Sequence, residues 1–133
     1  MHYRSTRLAI AFLVCAAGPA TTQDAPHFPE EGPFRQGEGF GTPATCDTIG
    51  DWIDRVPAYD GRISMVISGT LQDSHWDGAL AYLIMCEPED VQVMCVTYHE
   101  SEVDGQTVLL AGGFNRLDDR RIVLDPCLAY PGE

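Results

Sequence analysis

Between Arg62 and Cys127 the chain carries five short stretches of β character, each bounded by turn-forming residues. Arg62–Leu71 sets Ile63, Met65 and Ile67 against Ser64, Ser68 and Thr70, the period of a half-buried strand. Ala79–Cys86 is apolar on both faces and Val91–Tyr98 nearly so, which predicts a hairpin with a well-buried first strand, Tyr82 included. Glu87-Pro88-Glu89-Asp90 is its expected tight turn. Gln106–Phe114 and Arg121–Cys127 supply two more strands, separated by a loop over Asn115–Asp119. An open sheet of five such strands leaves two edges exposed, and closure into a small barrel removes them. Gly69, Gly112 and Gly113 suit the strongly coiled positions such a barrel needs. Upstream, Thr45–Val56 reads as a short helix. Thr45 or Asp47 can cap it, Ile49, Trp52, Ile53 and Val56 share one face, and Pro57 stops it. The expected fold is all-β, a five-stranded barrel with a short N-terminal helix.

The stretches Val66-Ile67-Ser68-Gly69-Thr70-Leu71, Ala81-Tyr82-Leu83-Ile84, Val91-Gln92-Val93-Met94-Cys95-Val96, Gly105-Gln106-Thr107-Val108-Leu109-Leu110-Ala111-Gly112 and Arg121-Ile122-Val123-Leu124 resemble, in order, the strands of an OB-fold. The pattern is similar to anticodon-binding-type and exported bacterial OB-folds and covers residues 61–128. An OB-fold usually places a helix between its third and fourth strands. Here His99–Gly105 is too short and too acidic for one, and the expected helix precedes the first strand instead.

The N-terminus reads as an export signal. Arg4 and Arg7 precede an apolar run from Leu8 to Ala17, and Gly18, Pro19 and Ala20 follow, so cleavage is expected after Ala20. The run is about half the ~20 apolar residues that a membrane span requires. Cys15 invites a lipoprotein reading, but Val14 before it is bulky for that signal. The division expected is therefore signal peptide 1–20, flexible Pro/Gly-rich tail 21–44 and folded domain 45–133, periplasmic or secreted. Phe28, Phe34 and Phe40 recur every six residues in the tail and would serve as anchors if it lay along a groove.

The chain has 133 residues, enough for one small domain, and a formal charge of −12 with no lysine. Removing 1–20 leaves six arginines against twenty acids, a net of −14. Nucleic acid is an unfavourable partner for such a surface.

Cys46, Cys86, Cys95 and Cys127 remain after cleavage, an even number in a small exported domain, and two disulfides are expected. Zinc ligation would want a Cys-x-x-Cys pair, which the chain lacks. A tight turn after Cys86 would leave Cys95 about 13 Å further along the partner strand. A bridge tolerates only ~7 Å between Cα atoms, so Cys86–Cys95 requires a longer loop. In an OB barrel the third and fifth strands are neighbours. The resemblance thus implies Cys95–Cys127 and leaves Cys46 to tie the helix to Cys86.

No residue spacing assembles a catalytic or metal site. The acids of Glu100-Ser101-Glu102-Val103-Asp104-Gly105 resemble the start of a calcium loop, but its twelfth position would be Ala111 where a carboxylate is required. His75 and His99 flank strands at loop ends. The Arg116, Arg120 and Arg121 cluster is interleaved with Asp118 and Asp119, and Trp76, Tyr82 and Tyr98 are candidates for an aromatic platform. The surface expected to bind comprises Trp76, Tyr98, Arg116, Arg120 and Arg121. The expected role is a non-enzymatic binding or scaffolding module of the cell envelope with a protein partner and no cofactor. The alternatives are an OB-type binder of oligosaccharide or single-stranded nucleic acid, and a small secreted hydrolase.

Overall fold

Fourteen residues, Ile63–Trp76, form one strand, β3, which is too long and too coiled to keep a single neighbour along its length. The computed structural model describes residues 10–11, 13–18 and 25–132, so the cleavage site expected after Ala20 and most of the signal segment lie outside them. The remaining elements are β1 (Phe34–Gln36), β2 (Ala44–Thr45), α1 (Ile49–Ile53), β4 (Ala81–Met85), β5 (Gln92–Thr97), β6 (Thr107–Asp118) and β7 (Arg121–Pro131). Among the described residues no helix is long and apolar enough to cross a membrane.

The first half of β3 pairs antiparallel with β6, from Ser64↔Gly113 to Thr70↔Thr107. Its second half pairs antiparallel with β4, from Leu71↔Met85 to Trp76↔Ala81, after a register shift between Leu71 and Asp73. That irregularity lets the strand change neighbours. β4 continues to β5, β5 runs parallel to β7, and β7 returns antiparallel to β6. The result is a closed, mixed five-stranded barrel in the order β3-β4-β5-β7-β6-β3, compatible with an OB-like barrel.

Alternate residues fill its interior: Met65 and Ile67 from β3, Leu83 and Met85 from β4, Val93 from β5, Leu110 from β6, and Ile122 and Leu124 from β7. Two glycines permit the close passages. A Cβ at Gly69 would meet Met85 Sδ at 3.0 Å and Cys46 Sγ at 3.4 Å. One at Gly112 would overlap the Pro126 carbonyl and lie 2.9 Å from Cys127 Cα, so only glycine lets β7 approach there.

Four expectations need correction. Residues 25–45 do not project as a flexible tail. β1 and β2 pair with β3, and Phe34 and Ala44 are buried. The cause is the free edge of the first half of β3, which this strap extends as a paired strand; Ser64 and Val66 on its outer face are buried. Ser64 Oγ donates to the Gly37 carbonyl, and Val66 N–H donates to Pro33 O at 3.2 Å. The Arg35 guanidinium ties the strap by donating to the carbonyls of Pro29, Glu30, Gly32 and Phe34. The three phenylalanines do anchor it: Phe28 on Tyr59, Phe34 on Phe114 and Phe40 on Tyr130, all edge to face.

The helix is shorter than expected, five residues, with Ile49 and Ile53 buried. The β6 strand runs on through the loop expected at Asn115–Asp119 and ends at Asp118. The Glu87–Asp90 turn forms, with Asp90 N–H donating to the Glu87 carbonyl at 3.0 Å, but it sits in a connection longer than a tight hairpin. Met85 pairs with Val93, and Cys86 adopts a positive φ of 74° that carries the chain away from the hairpin. Both disulfides are present, Cys46–Cys86 with Cα atoms 5.3 Å apart and Cys95–Cys127 with 5.4 Å, the pairs that the OB resemblance implied. The first ties the segment before α1 to the end of β4, and the second ties the neighbouring strands β5 and β7.

Inward and outward positions of β3 differ in what they tolerate. Ile67 is fully buried, and Ile67→Asp buries an unpaired carboxylate at a cost of several kcal/mol against a total stability of ~5–15 kcal/mol. Ser68 faces outward and is half-buried. Thermal melts of the two variants are expected to lose the cooperative transition in Ile67→Asp and keep it in Ser68→Asp; equal tolerance would remove the barrel assignment of this strand.

Candidate binding surface

The outward residues of the barrel wall are not uniformly polar. In β4 and β5 burial alternates strictly, so Ala81, Leu83 and Met85 point inward while Tyr82 and Ile84 point outward, as do Gln92, Met94 and Val96. Tyr82 is therefore half-exposed on the outer face, against the expectation that it is buried. Apolarity on both faces signalled burial on both. In fact the outer face is only half-buried, because among the described residues no helix or strap packs over this part of the wall.

Cross-strand register joins these residues into one strip. Tyr82 lies opposite Val96, Ile84 opposite Met94, and Met94 opposite Val123 of β7. Leu117, 58% exposed on β6, extends the strip. A shallow depression of about 190 Å³ runs between Ile84, Met94, Leu117 and Ile122, with Gln92 and Arg121 on its rim. Of these residues, residue order points only to Tyr82 and Arg121. Ile84, Met94 and Val96 stand in strands apolar, or nearly so, on both faces, a pattern that does not separate an open wall from a core.

The expected surface residues fall into two groups at opposite ends of this strip. Trp76 ends β3 and Tyr98 follows β5; they are 41% and 69% exposed and flank one end through the Trp76↔Ala81 and Ala81↔Thr97 pairs. Arg116, Arg120 and Arg121 lie at the other end of β5, a strand length of ~20 Å away. No single site unites them.

The arginines are already engaged. Arg116 donates to the Ile53 carbonyl at 3.3 Å and meets Asp119 at 3.4 Å. Arg121 Nε donates to Asp118 Oδ2 at 2.7 Å, and Arg120 donates to the Glu89 carbonyl. The Arg121 guanidinium and the Arg120 amide hold the Asp118 carboxyl below the ordinary aspartate range. This cluster fastens the β6–β7 turn to the β4–β5 turn; such exposed pairs contribute little individually.

At the other end, Asp77 organises the turn between β3 and β4. Its Oδ1 accepts the amides of Ala79 and Leu80, each at 2.8 Å, and its Oδ2 accepts the Tyr82 hydroxyl at 2.8 Å. The Leu80 and Ala79 amides hold the Asp77 carboxyl low, with the Tyr82 hydroxyl adding to the effect, while that same bond pushes the Tyr82 phenol up. His75 lies beside Tyr82, with ring centroids 6.3 Å apart. Among the described residues no group of three or more His, Cys, Asp or Glu side chains is placed to hold a metal. All four domain cysteines are bridged, which leaves no thiolate there for nucleophilic chemistry.

The Asp77 geometry fixes a pH dependence. Its folded value lies below the ordinary ~3.9, so its support of the turn is complete above that value and is lost as pH falls through the folded one. NMR titration is expected to show Asp77 titrating below, and Tyr82 above, their ordinary ~3.9 and ~10. In Asp77→Asn the Tyr82 phenol should return toward its ordinary value; an unchanged Tyr82 would mean the bond is absent in solution.

Comparison with known protein families, with curated proteins and with solved structures gives no match, so the functional reading rests on the geometry of this surface.

Proposed function

We propose that this protein is an exported, non-enzymatic binding module of the cell envelope, an OB-type barrel that receives a protein partner on the outer face of β4, β5 and β7. The observation that carries the reading is the half-buried outer strip of Tyr82, Ile84, Met94, Val96 and Val123, continued by exposed Leu117. A contiguous apolar strip on the wall of a small domain marks an interaction site. OB barrels receive ligands on their second and third strands, and with β3 as the first strand these are β4 and β5. The parallel pairing of the third and fifth barrel strands, β5 with β7, agrees with that connectivity.

Charge and chemistry favour protein over the alternatives. A chain with six arginines against twenty acids over residues 21–133 repels a polyanion, and its arginines at the strip are bound to backbone and carboxylates. Oligosaccharide hydroxyls would lose their water against Ile84, Met94, Val96 and Val123, which offer no hydrogen bonds in return. A protein surface with its own apolar side chains loses nothing there. The two disulfides support an oxidising, non-cytoplasmic location.

The test uses a photo-crosslinking residue at Leu117 in the exported protein, identification of the adduct, and reconstitution from purified components. Ile84→Asp and Met94→Asp face outward and should keep the cooperative melt while weakening the reconstituted complex by roughly tenfold or more, the scale of an interface residue worth over 1 kcal/mol. A complex indifferent to both substitutions, or protection of this face from hydrogen exchange by a single-stranded oligonucleotide or glycan, would overturn the proposal.

A further inference from the structure

A second feature of the wall lies away from the apolar strip. β5 and β7 pair only from Gln92↔Arg121 to Cys95↔Leu124. Beyond that point β5 stays with β4 as far as Thr97, and β7 stays with β6 as far as Pro131. The wall is forked there, with the Cys95–Cys127 bridge at the base of the fork. α1 packs at the opposite end, where its Ile53 carbonyl meets Arg116. The segment 98–106 covers the fork only loosely, since all of it but the half-buried Ser101 is exposed.

The edge of β7 that lines the fork has a definite polarity. Gly132 N–H donates to Thr107 O at 2.8 Å, which makes that couple a hydrogen-bonded pair of the antiparallel ladder. Such pairs alternate, so Tyr130/Leu109 and Leu128/Ala111 also exchange bonds, whereas Cys127 and Ala129 turn their amides and carbonyls away from β6 and toward the fork. Among the described residues no loop backbone group bonds to either. Ala129 is only half-buried, and a groove of about 320 Å³ runs beside it, with Val108 and Pro131 on one wall and Glu102 and Asp104 on the other.

The charged side chains that line the groove, Glu102 and Asp104, are both acidic. Residues 96–115 and 122–133 contain no Arg or Lys. We propose that the fork accepts an extended basic segment of a partner protein, which adds as a strand to β7 through Ala129 and sets Lys or Arg side chains against Glu102 and Asp104. Main-chain hydrogen bonds supply the affinity in this mode and alternate side chains supply the selectivity. A second copy of this chain is disfavoured as the occupant, because pairing edge to edge would bring two acidic rims together. Pro126 and Pro131 flank the open stretch and limit the acceptor to a few residues, which suits a short peptide and discourages open-ended aggregation.

The mature protein is titrated with an alternating lysine–valine peptide and with its glutamate–valine counterpart. The cationic peptide is expected to slow exchange of the Ala129 amide roughly tenfold or more, with affinity falling as salt rises. Ala129→Pro removes the donor that faces the fork while the β6 ladder keeps its bonds, and it should weaken binding by about tenfold, the loss of one hydrogen bond. Glu102 and Asp104 are exposed, so the Glu102→Gln, Asp104→Asn double variant keeps the fold and should weaken the cationic peptide alone. If Ala129→Pro does not fold, exchange at Ala129 and the double variant decide. Equal binding of the two peptides, unaltered Ala129 exchange, or a double variant that binds as before would overturn the proposal.

Discussion

The antiparallel pairing of β3 with β6, from Ser64↔Gly113 to Thr70↔Thr107, is what makes a barrel of these strands. Without it the chain is an open sheet with β3 and β6 as edges, and the inward row of Met65, Ile67 and Leu110 faces water. Closure requires one strand to serve two neighbours, and β3 does so by its length and by the register shift beyond Leu71. It also requires close passages, which Gly69 permits against the Met85 and Cys46 side chains and Gly112 against the β7 backbone. Each device is local, and each is useless unless the others hold. The disulfides then reinforce the closed form: one fixes the segment before α1 to the end of β4, the other fixes β5 to β7.

Closure also explains where the molecule has surface to spare. A closed wall has an inside that must be apolar and an outside that need not be. Two parts of the outside nevertheless depart from a solvated surface. Along the first half of β3 the strap of residues 25–45 pairs with the strand and bonds to buried Ser64 and Val66, held by Arg35 and the three phenylalanines. Over β4, β5 and β7 the outward Tyr82, Ile84, Met94 and Val123 are only half-buried, and among the described residues no strap pairs over them. The chain thus seals one outer apolar region with its own segment and leaves the other open, which is the physical basis for reading the open one as a place for a partner.

Much of the barrel was legible in residue order because alternation and turn residues are local signals. The strands around Ile67, Leu83, Val93, Leu110 and Leu124 stand where period and punctuation put them, and the cysteine pairs are those that the OB resemblance implies. What residue order misled on was tertiary in origin. Pro and Gly in 21–44 describe backbone freedom and say nothing of the carbonyls that Arg35 gathers, so the strap passed for a tail. Asn115–Arg116-Leu117 carries loop-like and charged residues, yet it remains β because β7 pairs with it. The candidate surface was the hardest to see. A strand apolar on both faces looks the same whether its outer face meets a helix or meets a partner, and only the uncovered wall distinguishes the two.

The claim on which all of this stands is closure, and backbone NMR of the oxidised protein in solution tests it most directly. Cross-strand contacts linking Val66 with Ala111 and Ile67 with Leu110, with slow amide exchange along Ser64–Thr70, are the expected result. Contacts from β3 to β4 alone, with fast exchange along that first half, would show an open sheet and contradict the account.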